Sequence, residues 1–286
     1  MTATTLACLI CAALAWSCLD ALRKGLGARL DIVSALLMLT LVQVPAFGVW
    51  LYVEGWPLVK SGFWPLTLGV LALNLLSNLM FLRAVQVSPL SRTVPYLSLT
   101  PVFTIGAAAL ALGEWPTTLQ LVGMGLVLLG AIGLNAGHLH PRQIDKGVLL
   151  MIGVAIIWAT NSVFDKMAVS LSSPPLHGMV QIGGLAVIVA LWLGLRGRLG
   201  EALHAGMRHR GIVLASGGVA ALAMGLQLVA LQLTLASVVE VVKRAIGLVM
   251  AVLLGRMFFG EGFTAGKWVS VGLMGAGTIL VLTQGG

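Results

Sequence analysis

Three charged residues stand close together in a stretch of the chain that otherwise predicts a membrane-spanning helix. Glu240, Lys243 and Arg244 belong to an apolar run that extends from Ser237 to Phe259. At about 1.5 Å of rise per residue, Lys243 lies roughly 9 Å along the helix from Ser237, inside a hydrocarbon layer about 30 Å thick. A charge at that depth costs a few kcal/mol, so it normally faces a protein interior or a water-filled cavity.

One face of this helix gathers the charges. At about 100° per residue, Glu240 and Arg244 share a face, and Lys243 lies beside it. The other residues of that face are polar or small: Ser237, Gly247, Ala251 and Gly255. The pattern favours a polar cavity in which Lys243 and Arg244 hold a carboxylate or phosphate-like group of a solute. When no solute is bound, Glu240 neutralises the two cations. Alternatively, Glu240 carries a coupled proton. The alternative is that both cations reach the nearby membrane interface and that Glu240 only pairs with them.

The composition indicates an integral membrane protein built from helices. Hydrophobic residues make up 59% of the 286 residues, charged residues 9%, and the mean hydropathy is +1.03. Soluble domains contain about 25% charged residues. We therefore expect an all-α integral membrane protein. A bacterial inner (plasma) membrane is its expected location. The net charge of +8 comes from short loops without interleaved aromatic residues, which argues against nucleic-acid binding. No nucleophile–base pair, phosphate-binding loop or metal-ligand spacing is present, so we expect neither an enzyme nor a cofactor.

Apolar runs and helix breakers predict ten transmembrane helices. Their approximate limits are 5–22, 32–53, 65–82, 93–112, 117–136, 147–165, 177–195, 211–231, 237–258 and 264–283. The segment 196–210 is predicted to be a loop. Several of these spans are short for a layer about 30 Å thick, so the helices are expected to extend into the neighbouring loops.

The chain also repeats itself. Trp16, Lys24 and Trp50 recur at an offset of 142 residues (158 − 16), and Gly113, Glu114, Gly125 and Gly130 recur at an offset of 147 residues (277 − 130). The sequence therefore predicts two five-helix repeats, residues 1–137 and 146–286. Because five is odd, the two repeats have opposite orientations in the membrane. Such inverted repeats are typical of secondary transporters, which bind their substrate near the membrane midplane between the halves.

Short motifs strengthen this interpretation. They are Ala84–Pro89, Leu97–Phe103, Leu112–Glu114 and the Gly-rich 119–134 in the first half, and Trp158–Asn161 with Lys166, Val242–Arg244 and Gly260–Glu261 in the second. Together they resemble the motifs of EamA-type transporters, the ten-helix members of the drug/metabolite transporter superfamily. Leu19 stands where the second repeat has Asn161, so the halves differ at that position.

The resemblance implies transport of small polar or amphipathic metabolites, often export, through a central cavity lined by both halves. We therefore expect a secondary transporter that exports a small polar or anionic organic metabolite, such as an amino acid, by alternating access. Its expected partners are that solute and membrane lipid, and its expected state is a monomer or homodimer. The alternatives are a flippase for an anionic lipid-linked group and a non-transporting membrane scaffold or receptor. Replacing Lys243 with Met is expected to abolish transport and to leave folding intact.

Polar and aromatic residues of other spans are further candidates for substrate binding. They are Trp16, Trp158, Asn161, Asn74, Asn78, Tyr96 and Ser98. Each has a structural alternative: Asn74 and Asn78 also suit interhelical hydrogen bonds, as does Gln227. Asp20 beside Trp16 could bind an amine or pair with Arg23 or Lys24.

Further residues have expected roles of their own, most of them structural. Asp165 is expected to bind an amine beside Trp158 or to pair with Lys166. Glu114 is expected to cap the helix that follows it. Pro95 and Pro101 each free a carbonyl one turn earlier, which a neighbour or cavity water must satisfy. Gly123, Gly130, Gly133 and Gly277 allow close helix contact or a dimer seam. His138, His140, His204 and His209 are assigned to loops.

Overall fold

The computed structural model describes residues 2–88, 93–135, 145–259 and 265–283. All regular elements of this part are helical. In chain order the helices are α1 (Ala3–Gly27), α2 (Ile32–Glu54), α3 (Phe63–Val87), a 3₁₀ segment (Val94–Leu99), α4 (Thr100–Leu112), α5 (Thr118–Asn135), α6 (Lys146–Leu171), α7 (Pro174–Leu195), α8 (Leu199–Arg208), α9 (Arg210–Leu233), α10 (Ala236–Phe259) and α11 (Ala265–Thr283). Gly260 and Glu261 of the repeat motif lie outside the described residues, as do His138 and His140.

Within these described ranges, eight stretches are long and apolar enough to cross a membrane. They are α1, α2, most of α3, the 3₁₀ segment together with α4, α6, α7, α9 and most of α11. Helix α5 is apolar but shorter, and α10 is 24 residues long but contains four charged residues. The helices extend beyond the predicted limits, most clearly at α6, which continues to Leu171.

The predicted loop between α7 and α9 contains a helix, so that prediction was wrong. Helix α8 is amphipathic: Ala202 and Gly206, one turn apart, are buried, while Glu201 and Arg208 lie on its exposed side. A side chain at Gly206 would overlap the thioether of Met38. Burial of this narrow stripe, Ala202 and Gly206, against α2 keeps the segment helical, although its composition resembles that of a loop.

The two halves of the chain pack on each other in a symmetric pattern. Helix α1 packs on α9 and α10, and α6 packs in the same way on α3 and α4. Helix α2 packs on α9, and α7 on α3. Three further pairs join equivalent helices: α2 with α7, α4 with α10, and α5 with α11. Exchanging the halves maps this set of contacts onto itself, so the bundle has approximate twofold symmetry.

Small residues close the seam between α5 and α11. A Cβ atom on Gly123 would lie 2.7 Å from the carbonyl oxygen of Gly277, and one on Gly130 would lie 2.6 Å from that of Ser270. The backbones therefore approach as closely as the predicted small-residue pattern allows. Gly123 and Gly130 therefore make a contact within the chain, between the last helices of its two halves.

Candidate functional site

The site begins with a carbonyl that a proline leaves without its helical partner. Pro101 has no N–H, so the carbonyl oxygen of Leu97, four residues earlier, receives no backbone hydrogen bond from it. The Thr100 hydroxyl donates to this oxygen at 2.7 Å, and Arg244 Nη2 donates to it at 2.8 Å. The backbone N–H of Thr100 also donates to this oxygen. Arg244, from the other half of the chain, is thus an additional donor to the Leu97 carbonyl.

This contact lies close to the approximate twofold axis. Leu97 and Arg244 are 147 residues apart, the same offset that relates Gly130 to Gly277. Two residues that the axis relates can touch only where both lie near the axis. The 3₁₀ segment before α4 and α10 therefore cross close to this axis, at the interface between the two repeats, which is where inverted-repeat transporters bind their substrates.

A cavity of about 220 Å³ lies beside this crossing, between α4, α5 and α10. Ser98 and Arg244 line it together with ten residues that lack polar side chains. In the part of the chain that the structure describes, Arg244 makes no ion pair, and its hydrogen bond is the one to Leu97. A guanidinium has five N–H donors, so most of its donors remain available to a ligand.

Lys243 is neutralised within the protein, unlike Arg244. Its Nζ lies 2.5 Å from Glu240 Oε1 and 3.1 Å from Gln227 Oε1 on α9. It also lies 5.6 Å from the ring centroid of Trp16 on α1, a cation–π contact. The Glu240 side chain is 5% exposed and that of Lys243 is 26% exposed. Lys243 and Arg244 thus both bond to groups of neighbouring elements, and Gln227 forms the interhelical bond expected of it.

The Trp16 ring lies between two cations. Arg23 Cζ, which belongs to the same helix as Trp16, is 5.5 Å from the ring centroid. Arg23 also pairs with Asp20 at 3.4 Å, the structural alternative stated for that carboxylate. The indole Nε1 is buried and has no hydrogen-bond partner among the described residues. A donor left without a partner at this depth is available to a polar group of a ligand.

The asparagines form a separate network at the α3–α6–α7 contact. Asn161 Nδ2 donates to Asn74 Oδ1 at 2.8 Å, and Asn74 Nδ2 donates to Gln181 Oε1 at 3.0 Å. Asn78 Nδ2 donates to the backbone oxygen of Asn74 at 2.7 Å. The first two bonds are those of the interhelical alternative, whereas the Asn78 bond stays within α3. No hydrogen bond within the described ranges links this network to Lys243 or Arg244.

The same network contains a histidine that the sequence did not single out. His177 Nδ1 lies 2.8 Å from the Thr67 hydroxyl, and His177 Nε2 lies 2.8 Å from Asp165 Oδ1. His177 is fully buried, and Asp165 is 6% exposed. The expected pairing of Asp165 with Lys166 was therefore wrong, because consecutive residues of a helix point in different directions and Asp165 faces α7.

Lys166 instead pairs with Glu114, which joins the two halves at one end of the bundle. Lys166 Nζ also donates to the Thr234 carbonyl at 2.6 Å, and Glu114 Oε2 accepts from the Ala236 N–H at 3.1 Å. Glu114 thus binds the first N–H of α10, a helix of the other half. The expectation that it caps the next helix was wrong. Thr117 and Gln120 cap α5 reciprocally, as a capping box.

Comparison with known proteins identifies the chain. The model of the EamA-like transporter family matches residues 3–136 and again residues 145–283. The chain belongs to the EamA-like transporter family. The resemblance drawn from its motifs is thereby confirmed, and the chain is a membrane transporter of small solutes.

Solved structures show that other proteins share this EamA-like fold. Twenty-nine chains match, and one, titled only as the crystal structure of a protein, covers 100% of this chain with 99% of its own length. Its TM-score is 0.77 at 16% sequence identity, so the similarity establishes the fold alone. No curated protein sequence matches.

The other predicted site residues of this EamA-like transporter lie in packed surroundings. Trp158 stacks on Phe81, with ring centroids 6.2 Å apart and planes 20° from parallel. Tyr96 is half-buried in the 3₁₀ segment, and Ser98 lines the cavity beside Arg244. The structure therefore divides the predicted substrate-binding residues into three groups. Arg244 and Ser98 lie at the cavity, Lys243 lies with Glu240 and Trp16, and the three asparagines lie at the α3–α6–α7 contact. Tyr96 and the Trp158–Phe81 stack stand apart from all three.

Proposed function

We propose that the chain is a ten-span secondary transporter that moves a small anionic organic metabolite by alternating access. The eight apolar spans together with α5 and α10 give ten crossings. Two halves of five crossings have opposite orientations, in keeping with the symmetric exchange of helix contacts. Export, and a location in a bacterial inner membrane, rest on the motif resemblance stated above.

One observation supports an anionic substrate above others. Arg244 lies within a membrane helix, is half-buried and lines a cavity. Among the described residues it makes no ion pair within 4 Å, and the carboxylates of Glu240 and Asp20 attract it only from farther away. A cation without a close counter-ion is costly in hydrocarbon. A carboxylate or phosphate group of a substrate would supply that counter-ion, and bidentate geometry suits a guanidinium. The adjacent Lys243 already has Glu240, so we assign the substrate anion to Arg244.

The first prediction concerns ligand binding at Arg244. Purified protein is screened for thermal stabilisation by amino acids, hydroxycarboxylates and organic phosphates. A ligand at 100 times its dissociation constant is expected to add about 2.7 kcal/mol of stability. Arg244→Gln is expected to lose this response and to lower uptake of the same compound into proteoliposomes at least tenfold. Arg196→Gln is the matched control, because Arg196 is exposed at the end of α7 and lies over the Trp192 ring. An equal response from Arg244→Gln would contradict the assignment.

The second prediction concerns the contact between the halves. Glu114, Lys166 and the start of α10 form a latch that holds one end of the bundle closed in this conformation. Glu114→Gln keeps an acceptor for the Ala236 N–H but removes the ion pair. Loss of a charge-assisted contact of about 1.5 kcal/mol corresponds to about tenfold in an equilibrium constant.

We therefore expect hydrogen–deuterium exchange of the amides near Ala236 to accelerate by about tenfold in Glu114→Gln. Glu201→Gln is the control, because it removes an exposed ion pair with Arg198 on α8. Exchange at wild-type rates in Glu114→Gln would show that the latch does not hold this end closed.

A further inference from the structure

The cavity beside Arg244 combines a charged group with an apolar wall. Its polar side chains are Ser98 and Arg244, and the rest of the lining comes from apolar positions of α4, α5 and α10. The part of this wall formed by Val102, Ile105, Leu121, Gly125 and Leu128 is called the α4–α5 groove below. An inorganic anion would engage Arg244 but would leave the groove empty.

The groove reaches the outer surface of the bundle. Val102 is 41% exposed and Leu121 is 44% exposed, so the space between α4 and α5 is not sealed by a neighbouring helix. This wall offers a polar body no hydrogen-bond partners, so its burial there costs free energy, whereas a hydrocarbon body makes dispersion contacts with the wall. The groove therefore favours a ligand with an apolar body next to its anionic group.

We infer that the transported anion is amphipathic: its anionic group binds Arg244 and its apolar body lies in the α4–α5 groove. This inference rests on the proposed function and narrows its substrate class. The cavity of about 220 Å³ is smaller than the pockets of about 300–1,000 Å³ that hold drug-sized ligands. It suits a water-borne metabolite with a short hydrocarbon body and is too small for the paired acyl chains of a bilayer lipid.

Two glycines provide a matched pair of variants. A Cβ atom on Gly125 would meet no heavy atom within 4 Å, so a side chain there enters the groove without displacing the backbone. Gly106 on α4 has the same open surroundings but does not line the cavity. Gly125→Leu therefore fills the groove, and Gly106→Leu tests the effect of the substitution alone.

The experiment uses linear alkanesulfonates, from methanesulfonate to hexanesulfonate, which stay anionic at neutral pH. Binding to the protein in phosphatidylcholine nanodiscs is measured by calorimetry, with empty nanodiscs as the blank. Burial of each added methylene is expected to tighten binding by about fourfold. Gly125→Leu is expected to abolish this increment and to leave methanesulfonate binding unchanged, whereas Gly106→Leu keeps the increment. Should Gly125→Leu not fold, Leu121→Ala tests the same wall, because it removes an apolar side chain from the lining and is expected to reduce the increment per methylene.

The outcomes separate this inference from the proposed function. Absence of binding by every sulfonate, or binding that survives in Arg244→Gln, overturns both. Methanesulfonate binding that needs Arg244 but does not strengthen with chain length overturns the apolar subsite alone, as does an unchanged increment in Gly125→Leu. Weaker hexanesulfonate binding in nanodiscs that contain phosphatidic acid would assign the groove to lipid and overturn a water-borne substrate.

Discussion

Replacing Lys243 with Met is expected to lower the free energy of unfolding by about 3–5 kcal/mol, because removal of one partner leaves a buried charge uncompensated. The charge left behind is that of Glu240, whose side chain is 5% exposed and lies 2.5 Å from the Lys243 ammonium. Gln227 cannot replace the ammonium as a counter-ion, and Arg244 attracts Glu240 only from beyond ion-pair distance, so it replaces the ammonium in part. The sequence alone led us to expect that Lys243→Met leaves folding intact, and the contacts of Glu240 now argue against that expectation.

The double variant Glu240→Gln/Lys243→Met tests the physical cause. Exchange of a whole buried ion pair for neutral groups is often neutral or stabilising, so the double variant is expected to recover most of the loss. Unfolding is followed by circular dichroism during titration of mixed micelles with sodium dodecyl sulfate. Lys60→Met is the control, because Lys60 is exposed and its Nζ contacts a backbone carbonyl. A single variant within about 1 kcal/mol of the wild type would show that Lys243 does not compensate Glu240.

The same pair of variants decides how transport data are interpreted. If Lys243→Met loses transport and the double variant regains it, the loss came from the unpaired Glu240 carboxylate and not from a missing substrate contact. Arg244→Gln has less of this complication, since in the described part of the chain Arg244 attracts Glu240 and Asp20 only from beyond ion-pair distance. For this reason Arg244 is the better residue for a test of substrate binding.

Much of the fold follows from hydropathy and repetition. A helix satisfies its own backbone hydrogen bonds in lipid, so each apolar run of sufficient length predicts a helix. The observed helices begin and end within six residues of the limits predicted from the apolar runs. The offset of 147 residues that relates Gly130 to Gly277 also relates Leu97 to its contact Arg244. Helix α8 was missed because it is short and too polar to be a span, although its amphipathic pattern, with Ala202 and Gly206 on one face, is a signal that could have found it.

Less of the site could be predicted, because its partners come from distant parts of the chain. Because Pro101 has no N–H, the sequence predicts that the carbonyl four residues earlier, that of Leu97, needs another donor. Only the packing of α10 shows that Arg244 is such a donor. His177 escaped notice because it stands alone in an apolar helix, and Thr67 and Asp165 reach it from two other helices. A lone histidine predicted inside a span is a signal that could have found it, since polar residues in membrane helices face protein partners.

Gly277→Ala is expected to destabilise the protein by about 3 kcal/mol or more, at the upper end of the range for overpacked cores. The added Cβ would overlap the carbonyl oxygen of Gly123 and would lie 2.9 Å from the backbone nitrogen of Val127. These are backbone atoms of α5, so no side-chain rotation relieves the overlap and the two helices must separate. Separation forfeits the packing contacts that hold α5 and α11 together in lipid.

Gly275→Ala, on the same helix, gives the matched control with the opposite sign. A Cβ atom there would meet no heavy atom within 4 Å, and alanine in a helix interior is favoured over glycine by about 0.5–1 kcal/mol. Two identical substitutions two residues apart are thus expected to change stability in opposite directions, as measured by thermal unfolding in detergent. If both raised the unfolding temperature, α5 and α11 would have to be farther apart than in this structure. The α4–α5 groove beside Arg244 would then have a different wall.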